Sequence, residues 1–241
     1  MRSNKRVIVA LDVETASEAL DLVHELREDA AAFKIGLQLF TAAGPDLVRE
    51  IASDNKVFLD LKFHDIPNTV ARAGVEAARL GVWMFNVHAS GGSEMMRRTV
   101  GDVANFCTQE SLARPLIIGV TVLTSSDANT LSEIGIERPT DTHVLDLARL
   151  AAKCGLDGVV ASPMEAASIR SGVENKDFVI VTPGVRPDFG TKDDQKRVMT
   201  PRQAVLEGSD YLVIGRPILQ AKEPITALKS ICEEIDSAEN V

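Results

Sequence analysis

The chain has 241 residues, and 26 Lys and Arg stand against 35 Asp and Glu for a formal charge of −9. That balance argues against nucleic acid, whose binding is driven by cations neutralising phosphates, but leaves room for a small anion held by a few focused cations. The 45% apolar content supports a sizeable core and excludes disorder, collagen and coiled coil, and no apolar run approaches the roughly 18 residues of a membrane span.

Short β-branched runs alternate with helical patterns along the whole chain. Arg6 to Asp12 reads as a strand and Ser17 to Leu26 as an amphipathic helix. Phe33 to Gly36 is the second strand, with a helix over Pro45 to Ile51; Lys56 to Lys62 is the third, followed by a helix from about Pro67 to Leu80. Val82 to His88 and Pro115 to Leu123 are the fourth and fifth, with helices near Ser93 to Phe106 and over His143 to Lys153. Gly158 to Ala161, Phe178 to Thr182 and Tyr211 to Ile214 complete the strands. Their helices run over Met164 to Ser171, Pro201 to Leu206 and Ile225 to about Ile235.

Continuous Val/Ile/Leu runs are what buried parallel strands require. Eight β–α units with no obvious linker fit a closed (β/α)₈ TIM barrel, a single domain spanning residues 1–241, better than an open doubly wound sheet. The Rossmann alternative needs G-x-G-x-x-G after the first strand, where Asp12-Val13-Glu14-Thr15 stands instead. Two connections exceed the usual 2–6 or so residues of a βα loop: Thr124 to Thr142, with a short helix near Leu131, and Gly184 to Val198. Both follow strands, so both belong to the C-terminal mouth, where barrel chemistry occurs.

Charge on a buried strand needs a reason, because an unpaired buried ion costs several kcal/mol. Asp12, Lys34, Asp60 with Lys62, and Arg216 all fall at or near strand ends. One alone reads equally well as the solvated start of a loop; four converging on one mouth read as a site. Period-2 alternation puts Asp60 and Lys62 on one face of their strand. Asp65 follows before Pro67, an early helical residue, and lies four residues from Thr69, hence on the same helical face. A helix cap is the bland account of Asp65, and capping is compatible with function.

The remaining candidates are weaker. His64 and His88 sit near the mouth and read as hydrogen-bonded structural residues. Cys107, Cys154 and Cys232 lack CxxC spacing, which argues against a zinc site or disulfide framework, and read as small buried hydrophobes. The start, Met1 to Arg6 and then the short apolar run Val7 to Leu11, is too quickly charged for a secretory signal, which places the chain in the cytosol.

The block Asp60-Leu61-Lys62-Phe63-His64-Asp65-Ile66-Pro67-Asn68-Thr69 resembles the signature of the orotidine 5′-phosphate decarboxylases, especially their bacterial branch. The resemblance extends through Val9 to Asp12, Phe33 to Gly36, Val87 to Ala89, Val120 to Ser125, Thr182 to Pro187 and Val213 to Pro217. A D-x-K-x-x-D triplet alone is less specific, since related barrels acting on pentulose phosphates carry something similar. Those would be expected to need a divalent metal.

The resemblance implies removal of CO₂ from C6 of orotidine 5′-phosphate to give uridine 5′-phosphate, the last step of de novo pyrimidine synthesis, with neither metal nor organic cofactor. It gives Lys62 the role of stabilising and protonating the C6 carbanion, with Asp60 orienting its ammonium. Lys34 and Asp65 complete an alternating Lys–Asp–Lys–Asp array. Asp65 and Thr69 are implied to reach into the partner's site, so that the active form is a homodimer with shared sites and needs no nucleic acid or membrane. Asp12 and Lys34 would hold ribose hydroxyls, and Thr124 the pyrimidine edge. Ile66 and Pro183 are carried over as substrate-binding positions. Loops after the seventh and eighth barrel strands, with a short helix N-terminus, commonly bind phosphate. Gly215 and Arg216 fit that place, joined by Arg186 and by Gln195, which is implied to bridge base and phosphate when its loop closes. The run Asp193 to Arg197 alone reads as a solvated loop; within the family pattern it is a lid.

Overall fold

Eight apolar runs form strands: β1 Val7–Ala10, β2 Ala32–Gly36, β3 Val57–Phe63, β4 Met84–His88, β5 Leu116–Val120, β6 Gly158–Val160, β7 Val179–Pro183 and β8 Tyr211–Ile214. In the computed structural model, which describes residues 6–187 and 199–239, each strand pairs in parallel with the next, and β8 closes onto β1. The result is the expected (β/α)₈ barrel. Side-chain alternation sorts each strand into two faces. Ile8, Phe58, Met84, Ile118 and Val181 form a small cluster that fills the barrel, whereas Val7, Val9, Phe33 and Ile35 belong to the larger core beneath the helices. Fully burying one such side chain contributes about 1.5–3 kcal/mol.

The helices are α1 Ala16–Leu26, α2 Leu37–Ala52, α3 Pro67–Arg79, α4 Gly92–Gln109, α5 Ala128–Glu133, α6 Thr140–Lys153, α7 Ala166–Gly172, α8 Pro201–Leu206, α9 Arg216–Leu219 and α10 Pro224–Glu239. Local chemistry sets their starts. At α1 the Thr15 hydroxyl accepts from Glu18 N at 3.2 Å while the Glu18 carboxylate accepts from Thr15 N at 3.1 Å, a reciprocal capping box. Thr200 and Gln203 repeat the device at α8. α5, whose buried side chain is Leu131, is the short helix expected inside the first long loop.

Several element bounds differ from the sequence reading, two of them by more than a turn or a strand pair, and the register of one strand breaks. α2 begins at Leu37, not Pro45, because a helical segment precedes the kink at Gly44, whose φ of 74° breaks the helix just before the proline. β5 stops at Val120 rather than Leu123, and Thr121 turns to donate its N–H and hydroxyl to the Val160 carbonyl. In β3 the register against β4 jumps: Leu59 pairs with Phe85 but Phe63 with Val87, so four steps on one strand match two on the other. Asp60, Leu61 and Lys62 occupy this bulge, and Lys62 adopts a left-handed φ of 51°.

At the N-terminal end of the barrel, two aspartates tie neighbouring strands together. Asp157 accepts from Ile117 N at 2.7 Å and from the Arg114 guanidinium at 2.9 Å. Asp210 accepts from Ile180 N at 2.7 Å and from Arg170 at 2.6 Å. Trp83 and Tyr211 meet edge to face with ring centroids 5.2 Å apart beside them. No helix among the described residues is long and apolar enough to cross a membrane.

Candidate active site

Alternation from the barrel-filling residues upward fixes which side chains enter the C-terminal mouth. Two residues beyond Ala32 on β2 comes Lys34, two beyond Phe58 on β3 comes Asp60, and two beyond Met84 on β4 comes Asn86. Lys34 is buried, and its ammonium lies 3.1 Å from Asp12 Oδ1 and 3.7 Å from Asp60 Oδ2. Asp60 Oδ1 in turn takes the Lys62 ammonium at 2.7 Å. The bulge brings Asp60 and Lys62 together; an unbroken strand, as the sequence reading assumed, is not what does it. Each buried charge thus has an opposite neighbour, the condition for holding such charges in an apolar barrel.

The array borders a cavity of about 370 Å³. Thr124 and Ser125 form its wall at the first long loop, Pro183 and Arg186 come from β7 and the turn after it, and Gly215 and Arg216 from the end of β8. A Cβ on Gly215 would sit 3.2 Å from Asp12 Oδ2, and one on Gly36 would sit 2.9 Å from the Lys34 ammonium, so glycine at both places leaves the charges their room. A larger groove of about 700 Å³ opens at the opposite end, between Arg6, Arg27, Lys56 and Tyr211. Asp54 and Asp210 line it as well, and Arg6 donates there to the Asp210 carbonyl.

Three expected residues stand apart from this cavity. Asp65 and Thr69 are exposed and Ile66 is 66% exposed, all on the rim before and within the first turn of α3. Asp65 precedes the helix rather than capping it: Ile66 is the N-cap, and the Asp65 carboxylate accepts from Ile66 N at 2.6 Å. Asp65 and Thr69 therefore do not share a helical face. Gln195, with the rest of Asp193 to Arg197, lies outside the described residues. The feet of that loop are tied, since Val185 bridges Met199 and Arg186 N donates to the Met199 carbonyl at 3.0 Å.

The His64 and His88 rings lie face by face with centroids 5.2 Å apart and planes tilted by 32°. Burial, reinforced by His64 and Lys62 and opposed by Asp60, holds the His88 imidazole below its usual range. Cys107 and Cys154 are buried and their thiols are pushed up by burial, while Cys232 is only half-buried. The residue that sequence reasoning missed is Asn86. It is wholly buried, donates to Asp60 Oδ1 at 2.7 Å and accepts from Lys62 N at 2.8 Å.

A closed barrel with paired lysines and aspartates at its C-terminal mouth defines a (β/α)₈-barrel enzyme. The profile of the orotidine 5′-phosphate decarboxylase / HUMPS family matches residues 5–231. An orotidine 5′-phosphate decarboxylase of Syntrophotalea carbinolica is 51% identical over 239 residues, 99% of this chain and 98% of that protein. One of Geotalea uraniireducens is 52% identical over 236 residues, 97% of this chain and 96% of its own. The crystal structure of orotidine 5′-phosphate decarboxylase from Lactobacillus acidophilus superposes with a TM-score of 0.84 at 36% identity, covering 96% of this chain and 99% of that one. The chain belongs to the orotidine 5′-phosphate decarboxylase family, and within it to the carboxy-lyases.

Proposed function

We propose that the protein converts orotidine 5′-phosphate to uridine 5′-phosphate and CO₂ without metal or organic cofactor, with Lys62 as the acid. The observation that carries this reading is the continuous run of contacts Asp12–Lys34–Asp60–Lys62 at the edge of the mouth cavity. Breaking the C6–carboxylate bond leaves an electron pair in the ring plane, which the π system does not delocalise. Its stabilisation must come from preorganised charge. The Lys62 ammonium faces that pair and transfers one proton to C6; solvent then reprotonates the amine, so one proton is consumed for each CO₂ released.

Asp60 orients the ammonium and stands against the substrate carboxylate. Two like charges ~4 Å apart repel by about 4 kcal/mol at an effective dielectric of 20, and the repulsion vanishes as neutral CO₂ departs. Asp12 and Lys34 hold ribose hydroxyls, Thr124 the pyrimidine edge, and Pro183 with the partner's Ile66 apolar parts of the ligand. Arg216 and Arg186 take the phosphate beside Gly215, with Gln195 joining from the loop. The enzyme is a homodimer, one barrel domain per chain, and Asp65 and Thr69 complete the partner's site. The exposure of Asp65 and Ile66 on the rim supports that arrangement. The acidic charge fits a cytoplasmic enzyme of small metabolites rather than a nucleic-acid binder.

Loss of substrate absorbance with purified protein is the direct test. Binding of uridine 5′-phosphate with no loss of orotidine 5′-phosphate would leave a nucleotide-binding barrel instead. Turnover is expected to survive chelation; abolition by EDTA and restoration by Mg²⁺ would favour a metal-dependent sugar-phosphate enzyme. Arg216→Ala is expected to raise KM and also lower kcat, because phosphate binding energy drives closure around a centre it does not touch. A raised KM with unchanged kcat in steady-state assays would make the phosphate a simple anchor.

A further inference from the structure

Asn86 meets the charge array from below, and the chemistry just proposed makes no use of it. Its amide orientation is fixed by its surroundings. Turned over, it would set its oxygen against the Asp60 carboxylate and its NH₂ against the Lys62 N–H, opposing both contacts. As placed, one group donates to Asp60 Oδ1 and the other accepts from Lys62 N. The second contact falls at the bulge, where the β3–β4 ladder is interrupted and Lys62 holds its left-handed backbone. Asp60 Oδ1 therefore receives two donors, Asn86 and the Lys62 ammonium, each at 2.7 Å, while Oδ2 faces Lys34.

We propose that Asn86 is a positioning residue for the decarboxylation: it locks the Asp60 carboxylate and the Lys62 backbone together, and so aims the ammonium. The inference rests on the roles given above to Asp60 and Lys62. Positioning demands one donor and one acceptor on a short planar group, which asparagine supplies and aspartate supplies only when protonated. Wholly buried, Asn86 does not act on substrate itself.

The test is steady-state turnover of orotidine 5′-phosphate by wild-type, Asn86→Ala and Asn86→Asp proteins across pH, with uridine 5′-phosphate affinity and circular dichroism reporting the fold. Asn86→Ala is expected to lower kcat about 100-fold, the effect of misplacing a reacting group by about 1 Å. KM should stay within about threefold, because contacts made equally in ground and transition states remain. Asn86→Asp, nearly isosteric, keeps the acceptor but loses the donor while ionised. A carboxyl beside another carboxylate has a raised pKa. The ratio of its kcat to wild type should therefore climb about tenfold between about pH 8 and about pH 5, as protonation restores the donor. A purely structural role predicts a ratio independent of pH, and that result in folded Asn86→Asp protein would overturn the proposal. So would Asn86→Ala with near-normal kcat. Wild-type protein with no turnover would instead remove the reading on which the inference rests, before any variant is compared.

Discussion

Lys62→Ala is expected to lower kcat by about four orders of magnitude, since on the proposed mechanism one substitution removes both the charge facing C6 and the proton donor. The fold should persist. Lys62 sits on the rim with its side chain 30% exposed, and Asp60 keeps Lys34 at 3.7 Å and Asn86 at 2.7 Å as partners. Uridine 5′-phosphate should still bind, because Arg216, Arg186 and Asp12, the residues proposed to hold phosphate and ribose, line the cavity apart from Lys62. The measurement is single-turnover decarboxylation alongside product affinity. Near-normal turnover would assign the acid to another residue.

Mixing two dead proteins should restore activity. If each site takes Lys62 from one subunit and Asp65 from its partner, Lys62→Ala and Asp65→Ala homodimers are both nearly inactive. A mixed dimer inherits both lesions in one site and neither in the other. Random reassortment of equal amounts gives about half mixed dimers, each with one of its two isologous sites intact, so about a quarter of wild-type activity should return. Turnover is read after the two proteins are mixed, dissociated and allowed to reassociate. No recovery, with mixed dimers visible by mass spectrometry, would put Asp65 in its own subunit's site.

The barrel was legible because each strand is a β-branched run between polar breaks, and eight such runs in order leave few other architectures. Lys34 and Asp60 were legible as charges where apolar residues belong. Other features had no such mark. The first half of α2 follows β2 with no intervening loop, and its N-cap, Gly36, makes no side-chain cap bond. The bulge in β3 is a matter of dihedral angles and register, so Asp60-Leu61-Lys62 reads as plain alternation. The bonds of Asp157 and Asp210 to strand N–H groups look, in sequence, like ordinary turn acids. Asn86 is different: Met84-Asn86-His88 alternates on one face, and a lone amide there is itself an anomaly that could have been weighed with the charges.

Among the described residues only Lys62 and Ser111 are non-glycine residues at positive φ. A side chain in that left-handed region costs about 1–2 kcal/mol that glycine avoids. Lys62→Gly and Lys62→Ala remove the same ammonium, so their difference isolates the backbone, and the glycine variant should be the more stable by about 1 kcal/mol. For a chain of this size that is a melting temperature higher by about 2–4 °C, readable by calorimetry. Selection for stability alone would thus drift this position towards glycine, and the acid role proposed for Lys62 sets selection for activity against it. On the proposed mechanism, stabilising this enzyme by consensus or by screening for thermal tolerance sets stability against activity at one residue, and any thermostable variant altered there should be assayed before it is trusted.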